Sequence, residues 1–261
     1  MKQIDLNADI GEGAGNDEQL LDIISSANIA CSAHAGDEAT IRKTLRLAKK
    51  KGVTCGAHPG FADKENFGRK ELDLPIEQMQ QQVKEQLKLI QKIADEENVE
   101  LKYVKLHGAL ANMAARDFAL ANSLFQVVKN HNSRLAILAL DNSAQIEAAK
   151  QLGQKIIREA YADRAYTNDG LLLSRSKQGA VLHDRDKVVA QCLLLAEKGE
   201  IRTIDGIIIK STASSICLHG DNKNALDLAI NIKKSLEKAG IKIHSCLLEG
   251  YLGAKDECRY Y

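Results

Sequence analysis

The stretch SANIACSAHAGDEATIRKTLRLAKKKG, residues 26–52, carries the plan of the whole chain. Its apolar run ANIACS (27–32) is short enough for a buried strand. His34 and Gly36 follow, and then Asp37, placed to cap a helix with acidic residues in its first turn, lysines in its last and a stop at Gly52. Strand, polar loop and amphipathic helix make one β-α unit.

Working outward, the same unit recurs. Short runs at QIDLNA (3–8), VTCGA (53–57), KYVKL (102–106), LAILAL (135–140), KIIREA (155–160) and SICLH (215–219) are expected strands, with a possible eighth at IKIHS (241–245). Between them, residues 76–97 place Met79, Val83, Leu87, Ile90 and Ala94 on one helical face. DRDKVVAQCLLLAEKG (184–199) and DNKNALDLAINIKKSLEKAG (221–240) each open at an Asp and close at a Gly, as residues 37–52 do. Alternating strands and helices predict a parallel sheet with crossover helices. Seven or eight units in 261 residues suit a (β/α) barrel better than a doubly wound open sheet, which is the alternative. One barrel domain over residues 1–245 is expected, with 246–261 as a C-terminal tail.

Composition narrows the function. Lys and Arg number 36 against 35 Asp and Glu, so no bulk charge draws the chain to nucleic acid or to a lipid surface. The runs are far shorter than a membrane span, and Asp5, Asn7 and Asp9 interrupt any apolar leader, so a cytoplasmic protein is expected. The six cysteines form no CxxC pair and sit mostly in apolar stretches, the pattern of buried thiols.

In a β/α barrel the loops after the strands build the active site, so polar residues there should converge. Those residues are Asn7, Asp9 and Glu12 after the first strand, Cys31 and His34 after the second, His58 after the third and His107 after the fourth. Asp141 and Asn142, then Asp163 and Arg164, then His219 and Asp221 follow the last three. Four of seven histidines thus fall on one expected rim. His131 and His244 read as structural, Asp37 and Asp221 as helix caps, Asp5 as structural, and the GEGAG turn (11–15) as a tight turn rather than a phosphate cradle. The loop at 59–75 is long enough for a lid carrying Phe61, Phe67 and Arg69. In the loop at 162–184, Arg164 and Arg175 suit a carboxylate, with Asp163 to orient one of them. Imidazoles, carboxylates and arginines together suit proton transfer on a small anion.

Blocks IDLNADIGEG (4–13), SANIACSAHAGD (26–37), GAHPGFADKENFGR (56–69), KLHGAL (105–110), ADRAY (162–166), RSKQGAVLHD (175–184) and ICLHGD (216–221) resemble, in order and spacing, the LamB/YcsF lactam-utilisation family, that of the 5-oxoprolinase A component. The resemblance runs from residue 3 to about 245. It implies a seven-stranded, TIM-like barrel of the glycoside hydrolase/deacetylase superfamily type. It also implies a part in the ATP-dependent opening of 5-oxoproline to glutamate, shared with subunits B and C. Where the family has CGFHAGD, Ser32 and Ala33 stand beside His34; where it has KPHGxLYN, Leu106 replaces the proline and Ala111 the tyrosine. His34, His107 and Asn112 are kept.

The expected chemistry is phosphorylation of the lactam oxygen by ATP, with Mg2+, followed by attack of water. The base is one of His34, His58, His107, Asp9 and Glu12, and a second imidazole is the acid for the ring nitrogen. Arg164 and Arg175 take the substrate carboxylate, with Asn7, Asp163 and His219 also on the substrate. The chain has no GxxxxGK[ST] loop, which favours phosphorylation on a partner subunit. Two rival readings use the same residues: a metal-dependent amide hydrolase or deacetylase, and a ligand-binding regulatory barrel without turnover.

Overall fold

The computed structural model describes residues 2–218 and 225–248. In chain order the elements are β1 (Lys2–Ile10), α1 (Asp17–Leu20), β2 (Ser26–Ala30), α2 (Glu38–Lys51), β3 (Thr54–His58), α3 (Ile76–Glu96), β4 (Leu101–Val104), α4 (Gly108–Arg116), α5 (Phe118–His131), β5 (Ala136–Leu140), α6 (Ala144–Gln151), β6 (Ile156–Tyr161), α7 (Arg185–Lys198), β7 (Glu200–Arg202), β8 (Ile208–Lys210), β9 (Ser215–Leu218), α8 (Ala225–Lys238) and β10 (Ile241–Ile243).

The first six strands pair in sequence, all parallel. Then β6 pairs with β9, and β9 returns to β1 in register Asp5↔Ser215, closing a seven-stranded barrel. The run at 241–245 forms β10, but it pairs only with Lys2–Ile4 of β1 and stays outside the ring. The antiparallel β7–β8 hairpin has no counterpart among the expected strands.

The helices form where local signals placed them. Asp37 Oδ1 accepts from the Thr40 N–H at 2.8 Å, and Gly52 ends α2 at φ +68°, where a side chain would be strained. Asp184 caps α7 in the same way, and Gly199 closes it. In α3 the stripe Met79, Val83, Leu87, Ile90 and Ala94 is buried as its spacing predicts. The Asp221 cap of α8 lies outside the described residues.

Strand alternation separates two interiors. On β1, Leu6, Ala8 and Ile10 join the apolar core beneath the helices, whereas Asp5, Asn7 and Asp9 bond to β2 and β9 within the barrel. Barrel interiors are usually packed with layers of branched apolar side chains. Here the axis is polar, with an apolar plug of Tyr103, Leu138 and Ile157 that Cys246 joins. Cys246 is 4% exposed, so packed structure continues past residue 245; residues 249–261 lie outside the described set. Among the described residues no helix is long and apolar enough to cross a membrane, and Cys31, Cys55, Cys192, Cys217 and Cys246 are buried thiols outside any disulfide.

Candidate active site

Three of the rim histidines meet at the C-terminal end of the barrel. His34 follows β2, His58 ends β3 and His107 follows β4, and their rings pack on one another. His34 and His107 stack with centroids 3.7 Å apart, and His58 meets His107 edge-on at 4.8 Å. Asp9, near the end of β1, places Oδ1 3.3 Å from His58 Nε2. Glu12, on the turn beyond it, places Oε1 3.1 Å from His34 Nε2 and 3.5 Å from His107 Nδ1. All five residues expected to be catalytic therefore form one cluster, whose five side chains are each at most 10% exposed.

Backbone carbonyls fix two of the imidazoles. His58 Nδ1 lies 2.8 Å from the Lys105 carbonyl, and His107 Nε2 lies 2.9 Å from the Phe67 carbonyl. A carbonyl only accepts, so each of those nitrogens carries its ring's proton. Burial, and after it the neighbouring His58 and His34, pushes His107 well below the usual histidine range. Burial also lowers His34, against the pull of Glu12, and the His34 Nδ1 atom is buried with no hydrogen-bond partner among the described residues.

The loop at 59–75 closes over the rings. Phe67, at φ +56°, lies edge-on to His34 and His107, and the Arg69 guanidinium sits 4.9 Å above the Phe67 ring. The Gly60 N–H and carbonyl both bond the Gln86 side chain of α3, at 3.0 and 2.7 Å. Gly108 must be glycine, since a Cβ there would come within 2.4 Å of the Gly68 carbonyl oxygen. Phe61 is fully buried in the apolar core.

Beneath the cluster stands a polar column in which Lys105, Asn28 and Glu159, with no signal at a strand end, join Asn7 and Asp9. Lys105, 2% exposed, places Nζ 3.2 Å from each of Asn7 Oδ1, Asp9 Oδ1 and Glu159 Oε2, and 3.0 Å from Cys217 Sγ. Burial pulls the Lys105 ammonium down, but the charges around it, Asp9 foremost, overcome this and hold it well above the usual lysine range. Asn28 donates to Asn7 and to Asp9, each at 2.8 Å, and accepts from the Tyr103 hydroxyl at 2.7 Å. At the foot, Asp5 accepts from Ser25, Ser26 and Ser215. This is the structural place expected for it, and burial raises its pKa.

The residues expected on the substrate are more dispersed. Asn7 is fully buried, and its amide is spent: Oδ1 accepts from Asn28 and Lys105, and Nδ2 donates to Ser215 and Glu159. No atom of it is left for a ligand, which places it in the scaffold rather than on a substrate. The Arg164 guanidinium is buried and donates to the carbonyls of Ala180 and Leu173, pinning the loop at 162–184. Burial, then the nearby charge of Arg175, lowers its pKa. Asp163 is buried on the same loop, and Arg175 is exposed. His219 lies outside the described residues. Cys31 is buried, and burial pushes its thiol up to about 12, the environment of a structural thiol. A narrow cleft between β4, β5, β6 and α4 is lined by Lys105, Leu106, Ala111, Asn112, Glu159 and Tyr161, so both departures in the KLHGALANM stretch border it.

Fold and site together define a closed seven-stranded β/α barrel with a buried imidazole–carboxylate centre at its C-terminal rim. The chain belongs to the LamB/YcsF family, whose model matches residues 4–248. The A component of 5-oxoprolinase from Neisseria meningitidis serogroup A is 43% identical over 243 residues, covering 93% of this chain and 99% of that protein. The crystal structure of a lactam utilization protein from Thermus thermophilus superposes with a TM-score of 0.86 at 34% identity, covering 93% of this chain and 99% of that one. A peptidoglycan deacetylase from Bacillus subtilis shares the fold, with a TM-score of 0.51 at 14% identity over 94% of this chain and 88% of its own.

Proposed function

We propose that this chain is the A component of a cytoplasmic 5-oxoprolinase, the part that opens the five-membered lactam of 5-oxoproline to glutamate in an ATP-dependent reaction shared with subunits B and C. The observation that carries the reading is the buried cluster of Asp9, Glu12, His34, His58 and His107, in a chain 43% identical to a protein of that name along 99% of the latter's length. Lactam hydrolysis needs a base for water and an acid for the ring nitrogen, and a cluster of imidazoles and carboxylates supplies both.

ATP, with Mg2+, activates the amide oxygen as a leaving group. The first loop suits a nucleotide poorly: the Gly11 N–H of the GEGAG turn is taken by Asp17 at 3.1 Å, and Asp9 and Glu12 flank it with negative charge. We therefore assign the hydrolytic half of the reaction to this chain, with nucleotide binding on a partner subunit. The substrate carboxylate goes to Arg175, on the loop that Arg164 pins, and to His219, while Asn7 accepts from Lys105 and from the Asn28 amide that also holds Asp9.

The test is glutamate release from 5-oxoproline, ATP and Mg2+ by the purified chain with and without the two partner subunits. Glutamate is expected only with the partners, and His107→Ala should slow it by about 10²–10⁴-fold, the usual worth of a general acid or base. No glutamate in any combination, with folded chain and active partners, would refute the substrate.

A further inference from the structure

Two nitrogens in the cluster face each other. Because His58 Nδ1 and His107 Nε2 spend their protons on carbonyls, the atoms left over, His58 Nε2 and His107 Nδ1, present lone pairs to each other across 3.0 Å. Two lone pairs so placed cannot hydrogen-bond to each other. Asp9 Oδ1 and Glu12 Oε1 stand 3.3 and 3.5 Å from these same nitrogens, and one ligand atom from each of the four residues fits within a span of 4.8 Å. Four acceptors converge on one point.

From this geometry we infer that Asp9, Glu12, His58 and His107 bind a divalent first-row transition-metal ion. Metal–nitrogen and metal–oxygen bonds of about 2.0–2.2 Å give neighbouring ligands a separation of about 2.8–3.6 Å in tetrahedral or octahedral shells. The spacings of 3.0, 3.3 and 3.5 Å fall in that range. A proton can bridge only the two imidazoles, whereas one dication meets all four ligand atoms. Two imidazoles and two carboxylates suit Zn2+, Mn2+ or Co2+.

An outer layer is in place as well. The carbonyls of Lys105 and Phe67 fix both ring tautomers, Asn28 and Lys105 hold the Asp9 carboxylate, and His34 Nε2 holds Glu12. Such supports orient ligands in metal centres. The four ligands come from the end of β1 and the turn beyond it, the end of β3 and the start of α4, so the site exists only in the closed barrel. The inference stands on these distances and does not depend on the lactam reading.

The experiment uses the untagged full-length chain, stripped with chelator and titrated separately with Zn2+, Mn2+ and Co2+. Calorimetry and elemental analysis after desalting count the bound ion, and the visible absorption of the Co2+ form reports its shell. One equivalent of at least one metal is expected, with loss of binding in Asp9→Asn and His58→Gln and with His131→Gln unchanged. His34→Gln, which touches only the outer layer, should weaken binding by about 10–100-fold. Circular dichroism and gel filtration verify that each variant folds. Failure of the folded wild-type chain to take up any of the three ions saturably would overturn the site, as would uptake undiminished in both ligand variants. Glutamate release is not read, so the inference and the proposed substrate fail separately.

Discussion

Replacing Lys105 with Met keeps the length of the side chain and removes its charge from the polar column. In the wild type Nζ faces Asp9 and Glu159 at 3.2 Å each, with the Asp9 side chain 10% exposed and that of Glu159 2% exposed. After the change Glu159 keeps the Asn7 amide at 3.3 Å and Asp9 keeps Asn28 at 2.8 Å, but the ammonium that faced both is gone. Breaking a buried pair by removing one partner costs about 3–5 kcal/mol, because the remaining charge stays desolvated. At about 2–4 °C per kcal/mol for a chain of this size, Lys105→Met should melt about 6–20 °C below wild type. The assay is calorimetric or fluorescence melting at neutral pH, with urea unfolding to convert the shift to free energy. A second variant isolates the cause: Lys105→Met with Glu159→Gln removes one orphaned charge and should recover part of the loss, with a coupling of about 0.5–3 kcal/mol. A Tm within about 2 °C of wild type for the single variant, on the same conversion, would refute the reasoning. Strict additivity in the double variant would do the same.

Two further outcomes follow from the barrel interior. A Cβ on Gly56 would lie 2.3 Å from the buried Tyr103 ring, whose hydroxyl is tied to Asn28, so Gly56→Ala should cost about 1–3 kcal/mol or more, read as a lowered Tm; an unchanged Tm would contradict the packing. Burial raises the Asp5 pKa in the folded chain above its unfolded value, so the folded state binds this proton more tightly and the contribution is present at low pH and lost as pH rises through the folded pKa. Wild type should therefore gain on Asp5→Asn as pH falls toward 4, with a limiting slope of about 1.4 kcal/mol per pH unit, measured by urea unfolding from pH 4 to 8; a pH-independent difference would remove Asp5 from the account.

Much of this architecture is legible in the residues themselves. Helices begin at Asp37 and Asp184 and stop at Gly52 and Gly199 because capping is local chemistry, and the sequence carries it within four residues of each end. His34, His58 and His107 stand out because they interrupt apolar runs at strand ends, where a barrel gathers its polar groups. Lys105 and Glu159 escape notice because each sits within a run, KYVKL or KIIREA, whose alternation of apolar and polar residues looks the same for a solvent face and for a polar barrel axis. The β7–β8 hairpin has a usable signal, the Asp205–Gly206 pair, with Gly206 at φ +83°. Arg164 invites a ligand-binding reading because its acceptors, the carbonyls of Leu173 and Ala180, are brought near only by the fold of its own loop.

The closure of the ring has a consequence for how the chain is made. The strand synthesised first is sealed by one of the last: Asp5 and Ser215, bonded across the β1–β9 seam, are 210 residues apart. At about 5–20 residues per second, the ribosome leaves that edge of β1 waiting roughly 10–40 s for its neighbour. An exposed strand edge is a template for misassembly, and inward-pointing charges are one way proteins blunt it. Asp5 and Asp9, which end up enclosed in the finished barrel, stand along that waiting edge, so the carboxylates that later serve the column and the centre also guard the nascent strand against pairing with a stranger.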